Sequence, residues 1–431
     1  MDELALTVIF IALLITFLAS GLWVALSLIG VAAIGMFLFT SRPVGDAMAT
    51  VIWSASSSWT LTALPLFIWM GEILFRTKLS EYLFRGLTPW LQPLPGGMLH
   101  VNVAGSALFA AICGSSAATV LTVGKMAVPE LLRRNYPPNM VIGTLAGAGT
   151  LGLLIPPSII LIIYGVSVNE SIAKLFIAGI LPGILLASLF MGYIAVWDLV
   201  SGRSREERET HSWRERFAAL RLILPILLLI AAVMGSIYWG YATATEAAVV
   251  GVAGALVISW SQGALTWDNF VAALMGATRT SAMIAFILAG STFLTLAMGF
   301  TGLPRAVAVY IASLDLSPAM LIAALTVFYI VLGCFLDGIS AIVLTMAVIE
   351  PIARTAGFDM IWFGIFLTLV VEIAQITPPV GFNLFVLQGM TGRDMGFIAW
   401  AAFPMFLLML LAVVILAVFP EIATFLPSRM R

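Results

Sequence analysis

Residues 149–160, GTLGLLIPPSII, place two adjacent prolines, Pro156 and Pro157, in one of the most apolar regions of the chain. A proline has no backbone N–H to continue a helix, and it disfavours helical geometry in the residue before it. The stretch therefore predicts a helix that stops and restarts, with free carbonyl groups before the prolines and with Gly149 and Gly152 permitting close approach of other backbone. At membrane depth, such irregular backbone is tolerated only where it is buried in protein or lines a cavity.

The composition indicates an all-α polytopic membrane protein. Of the 431 residues, 62% are hydrophobic and 10% are charged, too few polar groups for the surface of a soluble protein. Apolar runs of about 20 residues recur along the chain, and each is long enough to cross a bilayer as a helix. The net charge of -1 gives no indication of nucleic-acid binding. Two cysteines and two histidines at isolated positions support neither a disulfide framework nor a zinc site.

The Pro–Pro stretch has a counterpart in the second half of the chain. LLIPPSIILIIYGVS (153–167) aligns with QITPPVGFNLFVLQG (375–389), so that the two proline pairs coincide. Further matches in or near this register are Pro182 with Pro404, Pro129 with Pro351, Tyr136 with Phe358 and, after a slip of one residue, ATVLT (118–122) with AIVLT (341–345). We therefore predict that the chain consists of two structural repeats.

The arginine-rich segments predict the orientation of these repeats. The positive-inside rule places 76–85, 125–134 and 198–216 in the cytoplasm. Three spans precede the first of these segments, so the N-terminus is predicted to be periplasmic. The second half then starts from the opposite side of the membrane, which makes the pair an inverted-topology repeat, an architecture of secondary transporters.

Each repeat is predicted to contain scaffold spans, a re-entrant hairpin and a broken span. The first repeat is 1–197, with hairpin 1 at about 98–128 and a broken span at 139–165. A cytoplasmic linker follows at 198–216. The second repeat is 217–431, with hairpin 2 at about 318–350 and a broken span at 360–388. The other predicted elements are two short helices over 4–40 divided at Gly21, an interfacial helix over 79–95, and spans at 51–75, 172–197, 217–239, 243–261, 271–299 and 395–419.

Seven segments resemble the large membrane subunit of tripartite ATP-independent periplasmic (TRAP) transporters, the DctM-like family. They are ALPLFIWMGEIL (63–74), AAICGSSAATV (110–120), GTLGLLIPPSIILIIYG (149–165), LFIAGILPGILL (175–186), ATATEAAVVGV (242–252), WFGIF (362–366) and ITPPVGFNLFV (376–386). They lie in order over most of the chain. The combination of GxLGxxIPPSxxxxxYG with TPPVGxN is specific, whereas a single proline pair would be weak.

The resemblance implies a fold of the ion-transporter superfamily, an elevator mechanism and sodium-coupled uptake of an organic acid anion across a bacterial inner membrane. It also implies two protein partners: a small four-helix membrane subunit (DctQ-like) and a periplasmic substrate-binding protein (DctP-like). In this mechanism, sodium at two pseudo-symmetric sites fixes the hairpin tips and preorganises an anion site between them.

Sodium is expected at the hairpin tips and the facing broken helices, because hydroxyl and carbonyl oxygens suit a hard cation. The candidate ligands are Gly114, Ser115, Ser116, Gly152 and Pro156 for the first site, and Gly338, Thr377 and Pro379 for the second. The alternative reading is that the small residues only permit tight helix packing. The family often has SGS at the first tip, and Cys113 replaces the first of these serines, which puts one hydroxyl ligand in doubt.

Four residues near the same tips and breaks are candidates for contact with the substrate: Thr150, Ser158, Asp337 and Asn383. An ionisable group inside a membrane is a functional candidate by default, but Asp337 is equally suited to capping a half-helix. Glu372 and Glu246 lie in apolar runs and are expected to be paired structurally. Arg279 is expected either to neutralise a carboxylate or to anchor the substrate.

Other function classes fit less well. A stand-alone sodium/carboxylate symporter of the same superfamily is the main alternative. An intramembrane serine enzyme would need a histidine near GSSAA (114–118), and none is placed there. A passive channel would not need paired broken helices, and the absence of GxxxxGK[ST] excludes a self-contained ATP-driven pump.

Overall fold

A computed structural model describes residues 3–201, 211–302, 304, 307, 309, 311, 313–379 and 381–430, and these residues form helices and short connections. The helices of the first half are α1 (Glu3–Ala19), α2 (Val24–Phe39), α3 (Val44–Ser56), α4 (Ala63–Phe75), α5 (Leu79–Leu91), α6 (Met98–Cys113), α7 (Ser116–Arg133), α8 (Pro138–Leu154), α9 (Ile159–Val168) and α10 (Ile172–Ser201). The helices of the second half are α11 (Trp213–Tyr238), α12 (Ala244–Ser261), α13 (Trp267–Thr301), α14 (Pro318–Gly333), α15 (Gly338–Thr355), α16 (Met360–Gln375), α17 (Phe382–Thr391), α18 (Met395–Val418) and α19 (Glu421–Thr424).

Seven helices of the described part are long and apolar enough to cross a membrane, or eight if the bent pair Val44–Ser56 and Trp59–Phe75 counts as one. This confirms a multi-pass, all-helical membrane protein. The spans overlap those predicted, and the connection at 198–216 is shorter than predicted because α10 and α11 extend into it. The rest of that connection, 202–210, lies outside the described residues.

The segment predicted as one span at 51–75 is not a single straight helix. The chain forms α3 and α4 instead, and they meet at an angle of 53°. Pro65 lies in the first turn of α4, where its missing N–H is harmless, but its ring prevents one continuous helix through Leu61. Ser58 is extended and separates the two helices.

Both predicted breaks occur at the proline pairs. Helix α8 ends at Leu154 and α9 begins at Ile159, while α16 ends at Gln375 and α17 begins at Phe382. The Pro156–Pro157 and Pro378–Pro379 peptide bonds are both cis. Almost every residue of α8 and α16 is buried, as expected for helices that are apolar on all sides.

The two segments predicted as hairpins are pairs of helices joined by short tips. We call residues 114–116 tip 1, between α6 and α7, and residues 337–339 tip 2, between α14 and α15. The arms are 16 and 18 residues long in both pairs, and the second arms run further than predicted, to Arg133 and Thr355. Tip 1 turns through Gly114, whose φ of 58° suits glycine.

The arms pack in a crossed arrangement around α8 and α16. Helix α7 contacts α8 and also α17 of the other half, and α15 contacts α16 and also α9 of the other half. A second layer on one side contains α2, α3 and α4 around the long helix α13, and α12 packs on α4. The helix that follows each tip therefore packs against helices of both halves of the chain.

Candidate functional site

Tip 1 lies directly against the first broken helix. A Cβ on Gly152 would stand 2.7 Å from the carbonyl carbon of Ser115 and 2.8 Å from the backbone N of Ser116. A Cβ on Gly114 would stand 2.9 Å from the carbonyl oxygen of Pro157. The two glycines thus allow backbone carbonyl groups of the tip and the break to approach without an intervening side chain.

The side chains of tip 1 have different roles. Ser115 caps α7 by accepting a hydrogen bond from the N–H of Ala118, and its carbonyl accepts one from the Thr119 hydroxyl at 2.8 Å. The Ser116 hydroxyl lies 2.8 and 3.0 Å from the two carboxylate oxygens of Glu372, which is fully buried in α16. Tip 1 is therefore hydrogen-bonded to the broken helix of the other half.

The first break is capped by Ser158. Its hydroxyl donates to the carbonyl of Leu153 and accepts from the N–H of Leu161 at 3.4 Å. Ser158 is fully buried. This candidate for substrate contact therefore uses its hydroxyl to bond the backbone on both sides of the break. The neighbouring Leu154 carbonyl and the Pro156 ring face Gly179 of α10.

Tip 2 lies against the second break. A Cβ on Gly338 would stand 2.6 Å from Val371 Cγ1 and 3.5 Å from Gln375 Nε2. The Cys334 thiol, just before the tip, lies 3.3 Å from the carbonyl of Pro378. Asp337 caps α15 by accepting hydrogen bonds from the N–H groups of Ile339 and Ser340, at 3.1 and 3.3 Å.

In the second break, as in the first, a side-chain hydroxyl donates a hydrogen bond to a backbone carbonyl near the end of the broken helix. Thr377 donates to the Ile373 carbonyl at 2.7 Å. Gly381, with a φ of 28°, turns the chain so tightly that a Cβ there would stand 2.9 Å from the Thr377 carbonyl oxygen. The break is thus a compact loop of backbone carbonyl groups beside tip 2.

Both tips border one cavity of about 1290 Å³. Its wall combines the tips with the C-terminal half of α4, the start of α2 and the middle of α13. The polar side chains that line it are Glu72, Ser115, Ser116, Arg279, Thr280, Asp337, Ser340 and Gln375. Most of the remaining wall is apolar, including Trp23, Phe75, Met283, Phe286 and Phe382.

Arg279 provides a positive charge at this cavity. Its side chain is exposed, and no ion pair or hydrogen bond joins its guanidinium to any other residue that the structure describes. Glu72, on the same wall, is already paired with Arg76 at 2.8 Å. The cavity therefore presents an unneutralised guanidinium between the scaffold and the two tips.

Several candidate residues lie behind the cavity wall. Thr150 donates to the Gly147 carbonyl at 2.7 Å and packs on Met409. Asn383 is fully buried, and neither of its amide atoms has a hydrogen-bond partner among the described residues. Together with Ser158, they are not among the residues that line the cavity.

Of the other candidates, the cavity brings together Gly114, Ser115, Ser116, Asp337 and Gly338. Gly152 lies against tip 1, and Pro156 lies in the first break with its ring facing Gly179 of α10. Thr377 and Pro379 lie in the second break beside tip 2.

The sequence did not single out Gln375, although it opens the aligned stretch QITPPVG. Only 5% of its surface is exposed, and its side-chain amide makes no hydrogen bond with a described residue while it lines the cavity. A polar residue two positions before TPP, in a run that is otherwise apolar, was the available signal.

Comparison with known proteins agrees with this architecture. The family described as "Tripartite ATP-independent periplasmic transporter, DctM component" matches residues 11–422. The C4-dicarboxylate TRAP transporter large permease protein DctM of Pseudomonas aeruginosa is 32% identical over 397 residues, which are 92% of each chain. The isethionate TRAP transporter permease protein DctMQ of Oleidesulfovibrio alaskensis is 30% identical over 95% of this chain and 64% of its own length.

The fold also resembles a solved transporter. The Alcanivorax borkumensis YdaH transporter superposes with a TM-score of 0.62 over 93% of this chain and 97% of its own, at 13% identity. At that identity the likeness concerns the fold alone. These relatives are membrane transporters, and the chain is a transport protein rather than an enzyme.

Proposed function

Because the chain belongs to the DctM family of TRAP transporters, we propose that it is the large permease subunit of a sodium-coupled secondary transporter. In this proposal it imports an organic acid anion delivered by a periplasmic binding protein. The observation that carries the proposal is the meeting of both tips and the unneutralised Arg279 at one cavity. A guanidinium in a mostly apolar cavity is suited to bind a carboxylate or sulfonate group.

The inverted-topology repeat is supported by pairwise equality of the helices. The arms α6 and α14 have 16 residues each, α7 and α15 have 18 each, and α9 and α17 have 10 each. The contacts are also equivalent: the second arm of each pair, α7 or α15, packs on the helix that follows the break in the other half, α17 or α9.

The residues at the two tips fit a small hard cation. The oxygens available there are backbone carbonyl and hydroxyl groups, and the glycines keep the approach between tip and break open. Within the described residues, no three His, Cys, Asp or Glu side chains converge as a transition-metal site would require. We propose that tip 1 with Gly152 and Pro156, and tip 2 with Thr377 and Pro379, hold one sodium ion each. Sodium, when bound, would supply positive charge that joins each tip to its break.

The substrate proposed is a small organic anion. The two named relatives are transporters of C4-dicarboxylates and of isethionate, and these substrates are organic anions. In this chain Arg279 would hold the acidic group, and Gln375 and Ser340 would offer hydrogen bonds to the rest of the molecule. Asp337 and Asn383 are proposed to shape the site, Asp337 by capping α15 and Asn383 from behind tip 1.

We propose an elevator movement of the tips and broken helices against α2, α4 and α13. The cavity reaches the C-terminal half of α4, next to Arg76, and the positive-inside rule assigns that end to the cytoplasm. We propose that this arrangement is a state open toward the cytoplasm, and that the protein lies in a bacterial inner membrane with its N-terminus in the periplasm.

Two protein partners are proposed. One is a periplasmic substrate-binding protein, and the other is a small membrane subunit of four helices. The DctMQ relative, of which this chain matches 64% of the length, supports a small membrane subunit as a partner.

Uptake of labelled organic acids into proteoliposomes tests the proposal. The chain would be reconstituted with its candidate small subunit, with and without a sodium gradient and with and without the candidate binding protein. Uptake that needs both supports the tripartite function. Sodium-driven uptake by the chain without a binding protein would show a stand-alone symporter, and sodium-independent uptake would refute the coupling.

A further inference from the structure

Glu372 is a buried carboxylate that the proposed transport cycle does not yet use. It lies in the last turn of α16, one turn before the second break, and none of its surface is exposed. No arginine, lysine or histidine among the described residues forms an ion pair with it. Such a group is costly to bury and needs specific partners.

Its partners come from the other half of the chain. The Ser116 hydroxyl of tip 1 donates to the carboxylate, and the two residues are 256 positions apart in sequence. This one side chain therefore joins tip 1 of the first half to the second broken helix.

The repeat does not require this contact. In the alignment of the two halves, Glu372 corresponds to Thr150 and Ser116 corresponds to Ile339. Ile339 has no hydroxyl to donate, and Thr150 donates to the carbonyl of Gly147 within its own helix. The hydrogen bond therefore forms between tip 1 and α16, and the aligned residues of tip 2 and α8 form no equivalent bond.

The same turn of α16 reaches the second site. Glu372 is adjacent to Ile373, whose carbonyl accepts the hydrogen bond of Thr377 at 2.7 Å. The position of Glu372 is thus tied to the geometry of the second break. If tip 1 moves and carries the Ser116 hydroxyl with it, the hydrogen bond to Glu372 also changes the position of the last turn of α16.

We propose that the Ser116–Glu372 hydrogen bond couples the two tips, so that ordering of tip 1 favours ordering of tip 2. Glu372 is a positioning residue here and not itself a ligand. The inference rests on the proposed sodium sites, because it concerns how they communicate. A coupling of about tenfold in sodium affinity lies within the usual range for linked sites.

The two native cysteines provide a readout that does not depend on transport. Cys113 precedes tip 1 and lines the cavity, and Cys334 precedes tip 2 and contacts the Pro378 carbonyl. With Cys113→Ala, alkylation of Cys334 by a maleimide reports on tip 2 alone. With Cys334→Ser, alkylation of Cys113 reports on tip 1.

The experiment measures alkylation rates of the reconstituted full chain against sodium concentration, with potassium replacing sodium at constant ionic strength. In the parent chain, sodium is expected to slow labelling of Cys334 with a Hill coefficient above one. Ser116→Ala and Glu372→Gln are each expected to reduce that coefficient to one and to raise the half-saturating sodium concentration at Cys334 by about tenfold. The double variant should be no worse than either single variant.

Ser106→Ala is the matched control, because it removes another buried hydroxyl of the same hairpin that has no hydrogen-bond partner among the described residues. It should leave the sodium response of Cys334 unchanged. If sodium protects both cysteines and the Ser116 and Glu372 variants respond like the control, the coupling is refuted while the sodium sites stand. If sodium changes neither cysteine in the parent chain, the proposed sodium sites are themselves refuted.

Discussion

Replacing Gly152 with alanine tests the packing of tip 1 against the first broken helix. The new Cβ would stand 2.7 Å from the Ser115 carbonyl carbon, whereas ordinary contact begins near 3.4 Å. Backbone of the tip must therefore move by about 0.7 Å, since neither contacting atom belongs to a flexible side chain. Overpacking of this kind costs about 1–3 kcal/mol.

The displacement would fall on the carbonyl groups proposed to hold sodium. At 1.4 kcal/mol per factor of ten, that cost predicts a half-saturating sodium concentration raised by about 5- to 150-fold. The assay is sodium-dependent uptake into proteoliposomes, with sodium-dependent thermal stabilisation of the purified protein as a second readout. Gly192→Ala is the matched control, because Gly192 also lies in a long helix and a Cβ there meets nothing within 4 Å. If Gly152→Ala and Gly192→Ala respond to sodium alike, tip 1 does not need the close approach we describe.

Three further perturbations test other parts of the site. Arg279→Gln should raise the half-saturating substrate concentration by about 10- to 100-fold, because loss of a charged hydrogen-bond donor costs about 1.5–3 kcal/mol; an unchanged value in uptake assays would remove Arg279 from the anion site. Gln375→Leu should weaken substrate binding by about 3- to 10-fold through loss of one neutral hydrogen bond, without changing the sodium dependence; a changed sodium dependence alone would instead assign Gln375 to the second tip. Tyr164→Phe removes the 2.7 Å hydrogen bond from its hydroxyl to the Met360 carbonyl and should lower stability by about 1 kcal/mol, seen as a lower apparent melting temperature; an unchanged melting temperature would show that this link between the halves contributes nothing.

The helices and their interruptions were predictable because their causes are local. Proline cannot continue a helix wherever it lies, so IPP and TPP mark the two breaks without any knowledge of the neighbours. Apolar length likewise predicted most spans. The bend within 51–75 was not predicted, because two short helices with a bend between them have the same apolar length as one straight span.

The candidate site was less predictable, because motifs indicate where backbone is irregular but not which way side chains point. Ser116 and Gly338, which were predicted as sodium ligands at the tips, both line the cavity. Thr150 was an equally reasonable candidate by position, yet its side chain contacts Met409 and does not line the cavity. Gln375 was missed because its apolar surroundings in the sequence suggested a buried turn of helix and gave no sign of an adjoining cavity.

The sequence by itself determined the membrane class, most of the helices and the two breaks, since each follows from composition, apolar length or proline chemistry. Only the tertiary structure decided that both tips and Arg279 border one cavity, and that Ser116 meets Glu372 across 256 residues. The physical reason is that helix formation depends on neighbours along the chain, whereas a binding site depends on which helix faces are brought together. That choice is made by packing between α7, α8 and α16 and leaves no periodic signal in any one of them.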